Sequence, residues 1–276
     1  MTHENPLGAG NLSEIDHQVL DTLANEASTL LHNALLADTE LKARHAEEEL
    51  GIAAAIHSSL MAIAMPKSSY AEVRARSVPC HAIGGDFYDA IVLDDCVCVA
   101  IADVSGKGVP ASIVAATLQG IIHALLLTSQ SLPEIAALVN RFLCTRAVGK
   151  YATMVLLKLY PSGRVDYLNC GHVPPLVVTE TETCELLASN LIVGLISDAT
   201  YSASHCQLSP GDRILLTTDG ITEAEDKFGR QLGEACIDEL AHLTTLDAMM
   251  DHVAGFQASP VALDDWTLLD IRYKGV

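Results

Sequence analysis

Two spacings of hydrophobic and polar positions divide the chain into a short first part and a longer second part. In the first, apolar residues recur in alternating steps of three and four, which is the heptad spacing of an amphipathic helix. These positions are Leu20, Leu23, Ala27, Leu30, Ala34, Ala37 and Leu41. Ser13 followed by Asp16 is typical of a helix start, so we predict a helix from about Ser13 to Met65. Gly51 and Ile52 predict a break within it.

A helix of this kind cannot bury its own apolar seam. The seam either packs on the domain that follows or pairs with a second copy of the chain, and the heptad spacing favours a homodimer. We therefore predict that residues 1–65 form a helical, coiled-coil extension that regulates or dimerises the protein, with residues 1–12 as a loose tail. Residues 66–276 form the main domain.

In the second part, short apolar runs are separated by turn signals such as "PSGR" and "SPGDR", a pattern that predicts strands. The runs are "YAEVRARSV", "DFYDAIVL", "CVCVAIADV", "ATMVLLKLY", "RVDYLNCG", "PLVVTE", "ASHCQLS", "RILLTTD" and "WTLLDIRY". Helical patterns begin at Pro110, at Pro133, at Leu232 and near Leu246. Because strands and helices do not alternate regularly, we predict an α+β fold in which helices pack outside antiparallel sheets.

Composition and charge narrow the class of partner. Half of the 276 residues are hydrophobic, which allows a sizeable core, and the net charge is -19. A charge of this sign argues against nucleic acid, since binding it requires lysine and arginine to neutralise phosphates. Carboxylates that converge would instead attract a divalent metal ion.

The eight cysteines include no C-x-x-C pair, and several lie in strand-like runs, so we expect reduced and mostly buried thiols. The first residues, "MTHENPLGAG", lack the basic and apolar regions of a signal peptide. We also expect no apolar run that approaches the roughly 20 residues of a membrane span. These features predict a cytoplasmic protein that does not bind membranes.

Acidic residues stand at the edges of four apolar runs. The segments are "IGGDFYD" with Asp86 and Asp89, "AIADVSGKG" with Asp103, "LLTTDGITEAED" with Asp219 and Glu223, and "LDDWTLLDIR" with Asp264 and Asp265. Glycine lies close to the acid in the first three, and it permits a close approach of the backbone to a ligand. Carboxylate oxygens are the ligands that Mg²⁺ and Mn²⁺ prefer, and two such ions can together bind a phosphoryl group.

Each segment alone has a simpler interpretation as a turn, a helix cap or a solvated strand edge. The "SGKG" turn is not a phosphate-binding loop of the G-x-x-x-x-G-K-[ST] type, because the first glycine is missing and Gly108 stands where Ser or Thr is required.

In this order the segments resemble the SpoIIE/RsbU branch of the bacterial metal-dependent serine/threonine phosphatases, the type 2C (PPM) superfamily. The resemblance extends from about residue 47 to 273. It is carried by "GGDFYD", "IADVSGKGVPAS", "YATMVLLKLYPSGRVDYLNCGHVPPLVV", "LSPGDRILLTTDGITEAED" with "FGRQLGE", and "DDWTLLDIR". It implies a two-layer antiparallel β-sandwich flanked by helices, with two Mn²⁺ or Mg²⁺ ions at one end.

The resemblance also implies the site residues. The metal ligands would be Asp86, Asp103, Asp219 and Asp264, with the backbone carbonyl of Val104 beside Asp103. Asp264 is favoured over Asp265 because the first acid of this motif matches the family's ligand. Asp89, Gly85, Gly220 and Asp265 would form an outer shell.

The implied reaction is hydrolysis of phosphoserine or phosphothreonine by metal-activated water, and the implied substrate is a phosphorylated anti-sigma-factor antagonist with a STAS fold. An activator would bind the N-terminal helices. The alternative is a pseudophosphatase that binds a phosphoprotein without turnover. Two residues stay open: His172 is either structural or a general acid, and Lys107 either meets the substrate phosphate or faces solvent.

Overall fold

The computed structural model describes residues 13–80, 82–128, 130–146, 149–187, 189–233, 235–257 and 264–276. The predicted loose tail, residues 1–12, lies outside them. The chain forms two compact units, Met1–Ala53 and Ala54–Val276. The functional boundary that we place after residue 65 stays a prediction.

Helix α1 spans Glu14–Met61. At its start, the Ser13 hydroxyl accepts from the Asp16 amide at 3.2 Å, and the Asp16 carboxylate accepts from the Ser13 amide at 2.9 Å. The predicted break at Gly51 and Ile52 is wrong, because the helix is continuous there. A single glycine costs a helix only about 1 kcal/mol relative to alanine, and that is too little to end a helix of this length.

Two five-stranded sheets form the core of the second unit, and all of their neighbouring strands are antiparallel. One sheet has the order β1-β10-β9-β6-β7 and the other the order β2-β3-β4-β5-β8. The strands are β1 Ala71–Val78, β2 Asp86–Val92, β3 Val97–Val104, β4 Ala152–Leu159, β5 Arg164–Cys170, β6 Leu176–Val178, β7 Thr183–Glu185, β8 Ser204–Gln207, β9 Arg213–Thr217 and β10 Trp266–Tyr273.

The described part of this unit contains five further helices: α2 Val109–Leu126, α3 Leu132–Arg146, α4 Asp219–Thr222, α5 Ala235–Ala241 and α6 Leu246–Phe256. One apolar cluster lies between α2, α3 and the sheet that contains β3. A second lies between the two sheets, and a third between α5, α6 and the sheet that contains β10. This arrangement confirms the predicted α+β class and the two-layer sandwich flanked by helices.

Helix α2 corrects one expectation. Its 18 residues are long and apolar enough, by length and composition, to cross a membrane. Their packing explains the composition, since one side of α2 is buried against β2, β3 and α3, with Leu118, Ile122 and Leu126 at most 1% exposed. A helix that is buried in the core of a protein can have the same length and hydropathy as a membrane-spanning helix.

Candidate active site

Asp86 and Asp103 lie directly opposite each other on the antiparallel strands β2 and β3. Residues paired in this way have Cβ atoms about 4.5–5.5 Å apart on the same face of the sheet. Burial raises the pKa of Asp86 well above its usual value, and the charge of Asp103 adds to the effect. Burial also raises the pKa of Asp103 to about 7, with further contributions from Asp219 and Asp264. The site therefore concentrates negative charge in a poorly hydrated place.

Thr218, which caps α4 directly after β9, fixes the Asp86 carboxylate. The Thr218 hydroxyl donates to Asp86 Oδ2 at 2.7 Å and accepts from the Thr267 amide at 3.0 Å. Both threonines are buried. The sequence pattern does not predict this role, although "LLTTDG" places Thr218 immediately before Asp219. The contact connects the two sheets at the end of the sandwich where the acids lie.

Asp219 and Asp264 lie just beyond the paired ends of β9 and β10, which belong to the other sheet. Asp219 is the first residue of α4, which directly follows β9. Burial raises the pKa of Asp219, and the charges of Glu223 and Asp264 raise it further. Asp264 Oδ2 lies 2.8 Å from Lys107 Nζ. Because Asp103 and Asp219 both respond to the charge of Asp264, the four acids form one electrostatic group.

Asp265, the neighbour of Asp264, has a different role. Its carboxylate accepts from the amides of Cys80 at 2.8 Å, Gly85 at 2.6 Å and Asp86 at 3.4 Å. The residue is 5% exposed. Asp265 thus holds the loop that leads into β2, and its two oxygens are already engaged by backbone donors.

Both predicted outer-shell glycines lie in tightly packed backbone. Gly85 approaches the Val104 backbone, where an added Cβ would lie 3.0 Å from the Val104 carbonyl oxygen. At Gly220 an added Cβ would overlap the Asp265 carbonyl oxygen and lie 3.1 Å from the Asp264 Cβ. The glycines allow the backbone segments that carry the acids to come together.

We expect Gly220→Ala to lower the free energy of unfolding by about 2 kcal/mol or more, since overpacking against backbone cannot relax easily. Gly120→Ala is the control, because a Cβ added at that exposed position in α2 meets nothing within 4 Å. It should stabilise the protein by about 0.5–1 kcal/mol. Urea unfolding of both variants checks the pair, and equal midpoints would contradict the packing argument.

Asp89 does not belong to the group of four acids. It lies three residues after Asp86 on β2, and side chains three apart point to opposite faces of a strand. Its Oδ2 lies 2.7 Å from His123 Nδ1 on α2, and its Oδ1 accepts from the Ala90 amide at 2.8 Å. The predicted outer-shell role of Asp89 is therefore wrong, and the contact instead holds α2 against β2.

His172 is buried at 4% exposure, and burial lowers its pKa to about 4. Its Nδ1 lies 2.8 Å from the Thr153 hydroxyl, and its backbone amide donates to Asn169 Oδ1 at 2.9 Å. A neutral ring with these partners favours the structural interpretation over the general acid.

The cysteines are all free thiols, four buried, two partly buried and two exposed. Burial raises the pKa of Cys80 to about 12, so this thiol near the acids is not a thiolate at neutral pH. Within the described ranges, Cys80, Asp264 and Asp265 have ligand atoms within 4.8 Å of one another. Asp265 is held by backbone amides, however, and no three of the four predicted ligands come this close together. Two ions about 3.5–4 Å apart need ligands spread more widely than one ion does.

Comparison with known proteins identifies the family of the chain. The family described as "Stage II sporulation protein E (SpoIIE)" matches residues 93–274. Phosphoserine phosphatase RsbU of Bacillus subtilis is 26% identical over 241 residues, covering 83% of this chain and 71% of RsbU. The chain spans only 40% and 37% of two further curated relatives.

Solved structures share the fold. The SiaA-PP2C domain of Pseudomonas aeruginosa superposes with a TM-score of 0.71 at 19% identity, covering 84% of this chain and 98% of that one. The RsbU and RsbW domains of Rv1364c from Mycobacterium tuberculosis give a TM-score of 0.67 at 28% identity, covering 77% and 64%. The family match covers more than half of the chain, so this protein belongs to the SpoIIE family, shares the fold of the PP2C domain and is a serine/threonine protein phosphatase.

Proposed function

We propose that the protein hydrolyses phosphoserine or phosphothreonine on a STAS-fold regulatory protein, using two divalent cations held at the end of the sandwich. The observation that supports this most is the concentration of acids. The charge of Asp103 raises the pKa of Asp86, the charges of Asp219 and Asp264 raise that of Asp103, and the charge of Asp264 raises that of Asp219. Such a group is costly unless cations balance it.

The residues present fit Mn²⁺ or Mg²⁺. The four carboxylates, together with the Val104 carbonyl, are oxygen donors of the kind that hard cations prefer. When bound, such a pair of cations supplies a nucleophile from water near neutral pH and charge stabilisation for the phosphoryl group. The PP2C-type family is metal-dependent, whereas the choice of ion and the number of ions are part of this proposal.

The chain's own residues position the site. Thr218 fixes the direction of the Asp86 carboxylate, and Asp265 fixes the loop that precedes it. Asp103 is placed by its register opposite Asp86. The high pKa of Cys80 and the low pKa of His172 leave neither residue suited to act as nucleophile or proton donor at neutral pH.

The substrate class rests on the relatives. RsbU, by its name, is a phosphoserine phosphatase. The SpoIIE/RsbU resemblance implies a STAS-fold antagonist as substrate, and we extend this to the present chain. We also propose that it acts in the cytoplasm, where its free cysteines would stay reduced.

Phosphate release from a phosphoserine peptide tests the reaction. We expect activity to disappear in EDTA and to return with excess Mn²⁺ or Mg²⁺, and to rise through neutral pH. Full activity in EDTA would end the proposal. A protein that binds the phosphopeptide but never releases phosphate would be the pseudophosphatase.

For the N-terminal unit we propose a homodimeric coiled coil that an activator protein binds. None of the described residues of α1 is buried within the chain, and the heptad leucines are exposed, with Leu23 at 55% and Leu30 at 69%. Apolar seams of this kind are stabilised by excluding water against a partner.

Leu23→Glu with Leu30→Glu should shift the protein toward monomer, because carboxylates in the seam would lose hydration without a partner. Asn25→Glu with His32→Glu is the control, since it has the same seven-residue spacing on the opposite side of the helix. Sedimentation velocity at tens of micromolar measures the fraction of dimer in wild type and in both double variants. A monomeric wild type, or equal dimerisation of both variants, would show that the seam does not dimerise the protein.

A further inference from the structure

We propose that Lys107 is a displaceable internal counter-ion that competes with the divalent cation for Asp264 and so sets the metal affinity of the site. This inference rests on the proposed function, since it assumes that Asp264 is a metal ligand. It gives Lys107 a positioning and tuning role in place of the two interpretations left open by the sequence.

The competition concerns one oxygen atom. Asp264 Oδ1 accepts from the Asp265 amide at 2.9 Å, which turns that oxygen toward the backbone. The other oxygen, Oδ2, lies 2.8 Å from Lys107 Nζ. A cation that binds through Oδ2 would meet the ammonium at the same atom, and two positive charges this close repel each other. The lysine and the metal therefore compete for that oxygen, since each lowers the affinity of the other.

The pair is exposed enough to exchange. The side chains of Lys107 and Asp264 are 49% and 31% exposed, whereas those of the Arg213–Asp270 pair are 8% and 2% exposed. Exposed ion pairs contribute little to stability. The contact with Lys107 is therefore weak enough for a divalent cation to replace, in contrast to the buried pair that fixes β9 to β10.

The backbone around Lys107 also favours movement of its side chain alone. Gly106 and Gly108 flank it with φ of 85° and 70°, in the region that favours glycine. The preceding turn is held separately, because Lys150 Nζ donates to the Ser105 carbonyl oxygen at 2.6 Å. Lys107 can thus leave Asp264 while Ser105 and the start of α2 stay in place.

Lys150 provides a matched control. It is a second lysine at the same turn, but its ammonium is bound to a backbone carbonyl rather than to Asp264. Removing either lysine deletes one positive charge near the acids. Only Lys107→Met removes the proposed competitor.

Isothermal titration of the full chain with Mn²⁺ tests the proposal. Lys107→Met should bind Mn²⁺ about two- to fivefold more tightly than wild type, the range that corresponds to an exposed ion pair. Lys107→Arg, which keeps the charge, should stay within about twofold of wild type, and Lys150→Met should not tighten binding. Circular dichroism melts of each variant establish that it is folded.

Unchanged or weaker Mn²⁺ binding by Lys107→Met, or equal tightening by Lys150→Met, would overturn the inference. This failure differs from a failure of the proposed function. If Lys107→Met tightens Mn²⁺ binding but wild type releases no phosphate, the counter-ion role stands and the enzymatic role is wrong. If wild type binds no Mn²⁺, both are wrong.

Discussion

Asp103→Asn is expected to reduce metal-dependent phosphate release by at least about 100-fold, while making the metal-free protein more stable at pH 8. Loss of an outer partner of a metal ligand already costs about 10–100-fold in affinity or activity, so loss of a ligand should cost at least as much. The gain in stability follows from the surroundings of Asp103, because three further carboxylates oppose its charge.

The pH dependence has a definite sign. An unfolded Asp has a pKa near 3.9, whereas burial and neighbouring acids raise that of folded Asp103 to about 7. Between about pH 4 and 7 the folded protein therefore binds more protons than the unfolded chain. Stability falls as pH rises through this window and stays low above it. Asparagine, which carries no charge, removes this loss.

Thermal unfolding in EDTA measures the effect. At pH 8 we expect Asp103→Asn to melt about 4 °C or more above wild type, and at pH 4 the difference should largely disappear. Added Mn²⁺ should stabilise wild type more at pH 8 than at pH 5, and Asp103→Asn less than wild type. A variant that melts below wild type at pH 8 in EDTA would contradict the proposed crowding of acids.

Asp265→Ala is expected to lower the free energy of unfolding by about 3–5 kcal/mol, as removal of one partner from a buried charged network does. The substitution leaves the amides of Cys80, Gly85 and Asp86 without their acceptor. The loop that positions Asp86 would loosen, so Mn²⁺ affinity should also fall about 10–100-fold.

Asp265→Asn keeps the size of the side chain but removes its charge, so it distinguishes these two contributions to stability. Its amide group can accept from only some of the three backbone donors, so we expect an intermediate loss. Asp94→Ala, on the exposed turn between β2 and β3, is the control and should change stability by less than about 0.5 kcal/mol. Urea unfolding and Mn²⁺ titration give both readouts. An Asp265→Ala protein as stable as wild type would show that the amides find other acceptors.

Most of the fold could be predicted because its strands are strongly apolar and well separated. Each of the nine predicted strand segments overlaps an observed strand. The missing strand, β7 Thr183–Glu185, has three exposed residues and therefore no apolar run. Helix α4 was not predicted, since its four residues are too few to show a helical period. The break predicted at Gly51 is absent, because one glycine does not end a helix of this length.

The site was only partly predictable, because side-chain direction depends on register and on contacts between distant segments. In "GGDFYD", Asp86 and Asp89 are both acids beside the same apolar run, and both are candidates for the site. Their spacing of three, however, puts them on opposite faces of β2. The different contacts of Asp264 and Asp265 support choosing the first as ligand. The roles of Thr218 and Lys107 depend on partners more than 100 residues away in the chain.

The central claim, that four acids from two sheets hold divalent cations, is tested most directly by the anomalous scattering of Mn²⁺ in crystals of the protein. The account predicts Mn²⁺ peaks within about 2.0–2.6 Å of carboxylate oxygens of Asp86, Asp103, Asp219 and Asp264, and their loss or weakening in Asp103→Asn. Peaks confined to Cys80 and Asp265, or equally strong peaks in Asp103→Asn, would contradict it.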